Sequence, residues 1–116
     1  MSATIRELDA STFEEAVRKG VTLVDFWAPW CAPCRMQLPI LEQIGTELSQ
    51  QVQVAKVNVD ESARTAARFG VRSVPTLILF RDGHPVTQFV GVQSAAVLRA
   101  GIEDCVPVAE SVPGRN

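Results

Sequence analysis

Cys31 and Cys34 are separated by two residues in the run Trp30-Cys31-Ala32-Pro33-Cys34, a spacing suited to a reversible disulfide. Residues three apart on a helix are surface neighbours, with Cβ atoms about 5–6 Å apart. A small adjustment of the first turn brings the sulfurs to bonding distance. The unpaired N–H groups of a first turn and the helix dipole favour negative charge, so a cysteine there holds more thiolate, the form that attacks disulfides. Cys31, nearer the start, is the better nucleophile, and Cys34, one turn deeper, is the natural resolving thiol. Pro33 suits the first turn because the donor it lacks would have no intrahelical partner. Trp30 offers an indole beside the reactive sulfur as an apolar contact for an incoming polypeptide.

Two other readings compete for the pair. A structural zinc or iron–sulfur site usually takes four ligands, and beyond this pair only His84 and Cys105 are of the right type. Those two fall on a hairpin and a distal helix, with no second paired motif. The other rival is chance placement of two inert thiols. A cysteine pair directly after a strand, in a chain where strands and helices alternate, reads as a redox pair. Cys105 reads as a buried structural thiol on an apolar helical stripe, and His84, isolated beside a turn, as a surface residue.

The elements that must position the pair follow from periodicity. Thr4 to Leu8 reads as a short edge strand, and Ser11-Thr12-Phe13-Glu14 fits a capping box for a helix that stops at Gly20. Val21 to Trp27 is apolar on both faces, as a doubly covered central strand would be. Asp25 is the one carboxylate in it, and burial there calls for a partner or a raised pKa. After Ala28-Pro29-Trp30 the period becomes about 3.6, which gives a helix starting at or beside Cys31 and running to about Ser49. Pro39 lies inside that helix, where a kink is expected, and Met36 reads as packing.

Residues 52–59 alternate as a strand whose one charge is Lys56. Asp60 and Ser62 can cap a short helix through Phe69, closed by Gly70. Thr76 to Phe80 is too uniformly apolar to be exposed, Asp82-Gly83 signals a hairpin, and Pro85 to Val90 is the return strand. The last helix spans about Ser94 to Cys105, with Ala95, Leu98, Ile102 and Cys105 as its apolar stripe. Gly101 in its interior costs about 1 kcal/mol relative to alanine. Residues 106–116 read as a loose tail. Helical crossovers imply parallel pairing and the Asp-Gly turn antiparallel pairing, so the fold expected is α/β with a mixed central β-sheet flanked by helices on both faces.

A length of 116 residues suits one domain and is too short for two of ordinary size; that domain is expected over residues 1–105. Hydrophobic residues make up 47% and charged residues 21%, with a formal net charge of −2, so no field exists to gather nucleic acid or an anionic membrane. Arg64, Arg68 and Arg72, at helical spacing, read as a solvated face or part of a partner surface. No basic segment followed by an apolar stretch opens the chain, and no run approaches the ~20 apolar residues of a membrane span. The expectation is a cytoplasmic protein. That compartment keeps ordinary thiols reduced, which argues against a structural disulfide framework.

Several separated motifs recur in the order of one family. The stretches VDFWAPWCAPCRM (24–36), AKVNVD (55–60) and FGVRSVPTLILF (69–80), the Asp82-Gly83 turn and FVG (89–91) together resemble a thioredoxin over about residues 4–105. The resemblance implies a thioredoxin fold with the thiols at the start of a kinked helix, and protein-disulfide reductase activity in which Cys31 attacks and Cys34 resolves. It further implies that Asp25 is a buried carboxylate moving a proton to or from Cys34, with Lys56 as its buried lysine neighbour. Pro75 would be a cis-proline facing the disulfide, Gly91 would leave room for a substrate peptide, and Trp30 and Val74 would line the same groove.

No bound metal or organic cofactor is implied. The implied partners are proteins carrying disulfides, with a thioredoxin reductase as electron donor, and the chain is expected to act as a monomer. Independently of the resemblance, Asp25 and Lys56 are each the lone charge of an apolar strand, which makes mutual compensation physically sensible. The chain departs from the family where glycine is usual: Ala32 gives CAPC, and its methyl group and reduced backbone freedom bear on the reduction potential. Arg35, often lysine in relatives, keeps its positive charge. Two alternatives stay open. One is a disulfide oxidase or isomerase-like exchanger, separated by its potential; the other is a partner-binding regulatory module, separated by replacing both cysteines with serine.

Overall fold

In the computed structural model, which describes residues 4–106, the apolar runs assemble into one five-stranded sheet. Its strands are β1 (Ile5–Leu8), β2 (Val21–Trp27), β3 (Gln53–Asn58), β4 (Thr76–Arg81) and β5 (His84–Val90), in the spatial order β1-β3-β2-β4-β5. β1, β3 and β2 run parallel, and β4 and β5 are antiparallel to their neighbours. The mixed sheet expected from the crossovers and the Asp-Gly turn is therefore present. The expected tail, from residue 107 on, lies outside the described residues.

Helices cover both faces. α2 (Ala32–Glu47) and α4 (Ala95–Cys105) pack Leu41, Ile44, Leu98, Ile102 and Cys105 against Leu23, Val54 and Leu77. On the other face α1 (Phe13–Val17) and α3 (Ala63–Arg68) bring Phe13, Val17 and Ala66 onto Val24, Phe26 and Phe80. Phe69 and Phe80 meet edge to face at 5.0 Å and Phe13 and Phe80 at 5.4 Å between ring centroids, a favoured aromatic geometry. Central strand β2 is buried from Val21 to Phe26, as its uniformly apolar sequence requires.

At Asp82 and Gly83, φ is +50 and +87, the left-handed pair that a two-residue hairpin needs. The tip is tied down by Gly20, whose N–H donates to Asp82 Oδ1 at 2.8 Å and whose carbonyl accepts the Asp82 N–H at 2.9 Å.

Local capping differs from expectation. The Ser11–Glu14 box does not form: α1 starts after Thr12 with no side-chain cap. Asp9 Oδ1 takes the N–H of Ser11 at 2.9 Å and the Ser11 hydroxyl at 2.7 Å, so an Asx-type turn removes the serine from the cap. Likewise neither Asp60 nor Ser62 caps α3 by a side-chain bond. Met36 is 64% exposed, and Gln37 instead fills the buried stripe of α2 with Cys34, Leu41 and Ile44. Arg68, expected on a solvated face, bridges α3 to α1 through Glu14. At Gly101 an added Cβ would stand 2.9 Å from Phe89 Cζ, so close packing explains a glycine that helix propensity alone disfavours.

Candidate active site

At the carboxyl end of β2 the chain turns through Ala28-Pro29-Trp30 into α2, and Cys31 becomes the helix N-cap with extended backbone (φ −96, ψ 108). A cap position leaves helix N–H groups without backbone partners. Here the Cys31 sulfur fills that need, accepting the Cys34 N–H at 3.2 Å. Cys31 and Cys34 are joined as a disulfide, with Cα atoms 5.3 Å apart. Both are buried, 4% and 2% exposed, in an apolar cluster with Ala28. In the dithiol form the same N–H and the helix N-terminus stabilise a Cys31 thiolate.

One loop closes on the sulfurs and a second backs it. The Val74-Pro75 peptide is cis, and the Val74 carbonyl oxygen lies 3.6 Å from Cys31 Sγ. The Gly91 N–H donates to the Pro75 carbonyl at 2.9 Å. Gly91 has φ +88, and an added Cβ would meet nothing within 4 Å, so the conformation favours glycine while the space beside it is open. Trp30 is 68% exposed and its Nε1–H donates to Asp60 Oδ2 at 3.0 Å. A hollow of about 160 Å³ lies between Trp30, Val59, Val71 and Val74. A larger hollow of about 680 Å³ sits at the other end of the parallel strands, beside Gly20 and Gln50, away from the sulfurs.

On the central strand β2, Asp25 is fully buried and neither carboxylate oxygen has a hydrogen-bond partner. Burial raises its pKa to about 7, Lys56 pulling it down and Glu7 pushing it up. Lys56 stands beside Asp25 in the β2–β3 register and compensates it through its charge, but it forms its ion pair with Glu7. Its Nζ lies 3.6 Å from Glu7 Oε1 and 4.7 Å from the Trp27 ring centroid, and its side chain keeps 23% exposure. Lys56 is thus half-buried rather than buried, because β1 offers it a carboxylate at the solvent edge, where desolvation is smaller. Trp27 Nε1 is also buried without a partner.

The thioredoxin family model matches residues 4–104. A thioredoxin from Mycobacterium tuberculosis is 48% identical over 107 residues, covering 91% of this chain and 92% of that protein. One from Alicyclobacillus acidocaldarius is 47% identical over 103 residues, covering 88% and 97%. A mutant thioredoxin from Halobacterium salinarum superposes with a TM-score of 0.83 at 34% identity, over 92% of this chain and 96% of its own. The chain belongs to the thioredoxin family.

A cysteine pair closed as a disulfide on a thioredoxin fold makes the protein an oxidoreductase that carries out thiol–disulfide exchange through Cys31 and Cys34. Its partners, in general terms, are disulfide-bearing substrates and a reductase. Among the described residues no group of three or more His, Cys, Asp or Glu could hold a metal ion, and no helix is long and apolar enough to cross a membrane. Cys105 is buried on α4, and burial pushes its thiol up.

The sequence reading of this thioredoxin-family chain missed three polar side chains around the site. Asp60, read as a helix cap, instead holds the Trp30 indole from 30 residues away. Gln37, fully buried, clamps Gln93: its Nε2 donates to the Gln93 carbonyl at 3.0 Å and its Oε1 accepts the Gln93 N–H at 2.7 Å. Gln93 in turn donates from Nε2 to the Val90 and Gly91 carbonyls at 3.1 Å, so α2 is tied to the Gly91 loop. The only sequence signal was a polar residue on the core stripe of α2. Gln37→Leu keeps the bulk and strands two half-buried backbone groups of Gln93, an expected loss of about 1 kcal/mol. Urea unfolding measures it; an unchanged midpoint would show that the clamp contributes nothing.

Proposed function

We propose that this chain is a protein-disulfide reductase of CAPC type that works in the cytoplasm as a monomer, on extended peptide segments, and is regenerated by a thioredoxin reductase. The proposed domain is residues 1–105. The observation that carries the reading is Cys31 Sγ at the α2 N-cap, 3.2 Å from the Cys34 N–H and 3.6 Å from the Val74 carbonyl. One sulfur thus faces both a source of anion stabilisation and the loop against which a peptide would dock.

In the proposed reaction the substrate lies over Trp30, Val74, Pro75 and Gly91. The Cys31 thiolate attacks one substrate sulfur, forming a mixed disulfide and expelling the other sulfur as a thiolate that takes up a proton. Cys34 gives its proton to Asp25 and attacks Cys31 Sγ; the mixed disulfide breaks, the second substrate thiol leaves, and Cys31–Cys34 closes. Substrate gains two electrons and the protein loses two. Asp25 suits proton exchange because its pKa of about 7 leaves it near half-ionised at neutral pH. Lys56 supplies the positive charge that limits the cost of ionising it.

The deciding experiment is a titration of the Cys31–Cys34 couple against a glutathione or dithiothreitol redox buffer, paired with insulin reduction. The expected result is a reducing couple and turnover that depends on Cys31. A strongly oxidising potential would overturn the reductase assignment in favour of a disulfide donor.

A further inference from the structure

Three charged residues on three adjacent strands form a single row. Glu7 of β1 pairs in register with Lys56 of β3, and Lys56 pairs in register with Asp25 of β2. Neighbouring strands are about 4.8 Å apart, so Lys56 stands between two carboxylates in the row, its ammonium also lying 4.7 Å from the Trp27 ring centroid. It can satisfy only one of them closely. Its Nζ is 3.6 Å from Glu7 Oε1, while both oxygens of Asp25 are left without a hydrogen-bond partner.

We propose that Glu7 is a positioning residue for Lys56, drawing its ammonium toward the β1 edge and away from Asp25, and so governs proton exchange at Asp25. This rests on the role given to Asp25 above. The choice made by Lys56 has a physical reason: the Glu7 side chain is 50% exposed, and a pair formed there keeps part of its hydration, whereas pairing with Asp25 would take a charge into a fully dry site. Glu7 therefore acts twice in the same sense. It removes a counter-charge from Asp25 and adds a like charge to the row, and both disfavour the ionised carboxylate.

Among the described residues no other charged group acts on Asp25 from the elements around it. β4 sets Leu77 opposite Asp25 in register, α4 brings Leu98 and Ile102 to this face of the sheet, and the first turn of α2 buries only Cys34, a titrating group only in the dithiol form, and leaves Arg35 exposed. The row also ties the site to the sheet edge, since Glu7 lies on the outermost strand. The redox centre is thereby sensitive to a surface residue that touches neither sulfur nor substrate.

Glu7→Gln removes the anion and keeps the side-chain size at a half-exposed position. The carboxyl carbon of Asp25, followed by NMR in the oxidised protein, is expected to titrate about 1 pH unit lower in this variant. In a Lys56→Met background the same substitution is expected to move it by much less. No shift in Glu7→Gln alone would overturn the proposal, and an equal shift with and without Lys56 would overturn the positioning role. The pH dependence of mixed-disulfide resolution should move with the titration. A moved titration with an unmoved rate profile would support Glu7 and instead overturn the part given to Asp25 in the reaction.

Discussion

With serine in place of Cys31, reduction of insulin by the protein and a thiol reductant is expected to fall by roughly 1000-fold or more, since a hydroxyl cannot be the attacking anion at neutral pH. Cys34→Ser should behave differently. The first attack remains, the resolving sulfur is gone, and a mixed disulfide with the substrate accumulates, visible by mass spectrometry as a covalent adduct on Cys31. The asymmetry is set by the helix: the Cys31 sulfur accepts the Cys34 N–H as a cap, and Cys34 lies one turn in at 2% exposure. If the Cys34→Ser protein formed no adduct while the Cys31→Ser protein did, the two roles would have to be exchanged.

The second large effect concerns stability. An Asp25 carboxyl titrating near 7 in the folded protein, against 3.8 ordinarily, makes folding depend on pH in a definite direction. Below pH 3.8 the carboxyl is protonated in both states. Between 3.8 and about 7 the unfolded chain has released the proton while the folded chain retains it, so stability falls as pH rises, and above about 7 the loss is complete. A span of about three pH units at 1.36 kcal/mol each amounts to about 4 kcal/mol. Asp25→Asn removes the ionisation, so it should match the parent near pH 3.5 and exceed its stability by about that amount at pH 8. Urea unfolding at several pH values gives the comparison, and a gap that did not widen with pH would contradict the burial account. The same variant should resolve mixed disulfides about a hundredfold more slowly, because the proton acceptor is gone.

Much of this molecule could be read from one sequence, and the parts that could not, Ser11 apart, share a cause. The two sulfurs, the central strand and the Asp82-Gly83 hairpin were legible because each is a local pattern: a spacing, an unbroken apolar run, a dipeptide suited to positive φ. The anomaly at Asp25 was legible too, as a charge where none should sit. What escaped was the choice among partners that are far apart in sequence. Lys56 had an obvious mate in Asp25, yet strand order puts Glu7 on its other side. Asp60 could cap a helix or hold an indole, and only the fold brings Trp30 within reach. Met36 and Gln37 are adjacent on α2, and a hydropathy pattern places the methionine inward; the amide takes that position because Gln93 satisfies both its ends. At Ser11 the competitor was local, a neighbouring aspartate offering a shorter ring.

The seclusion of Cys34 bears on timing. The covalent adduct is carried by Cys31, itself 4% exposed, with Cys34 one turn away and Cα atoms 5.3 Å apart, and the half-finished adduct is severed from within, by a group already held at high effective concentration. How long the protein stays tethered to its client is then set by the reach of that inner sulfur, an internal clock against which thiols diffusing in from solution must compete.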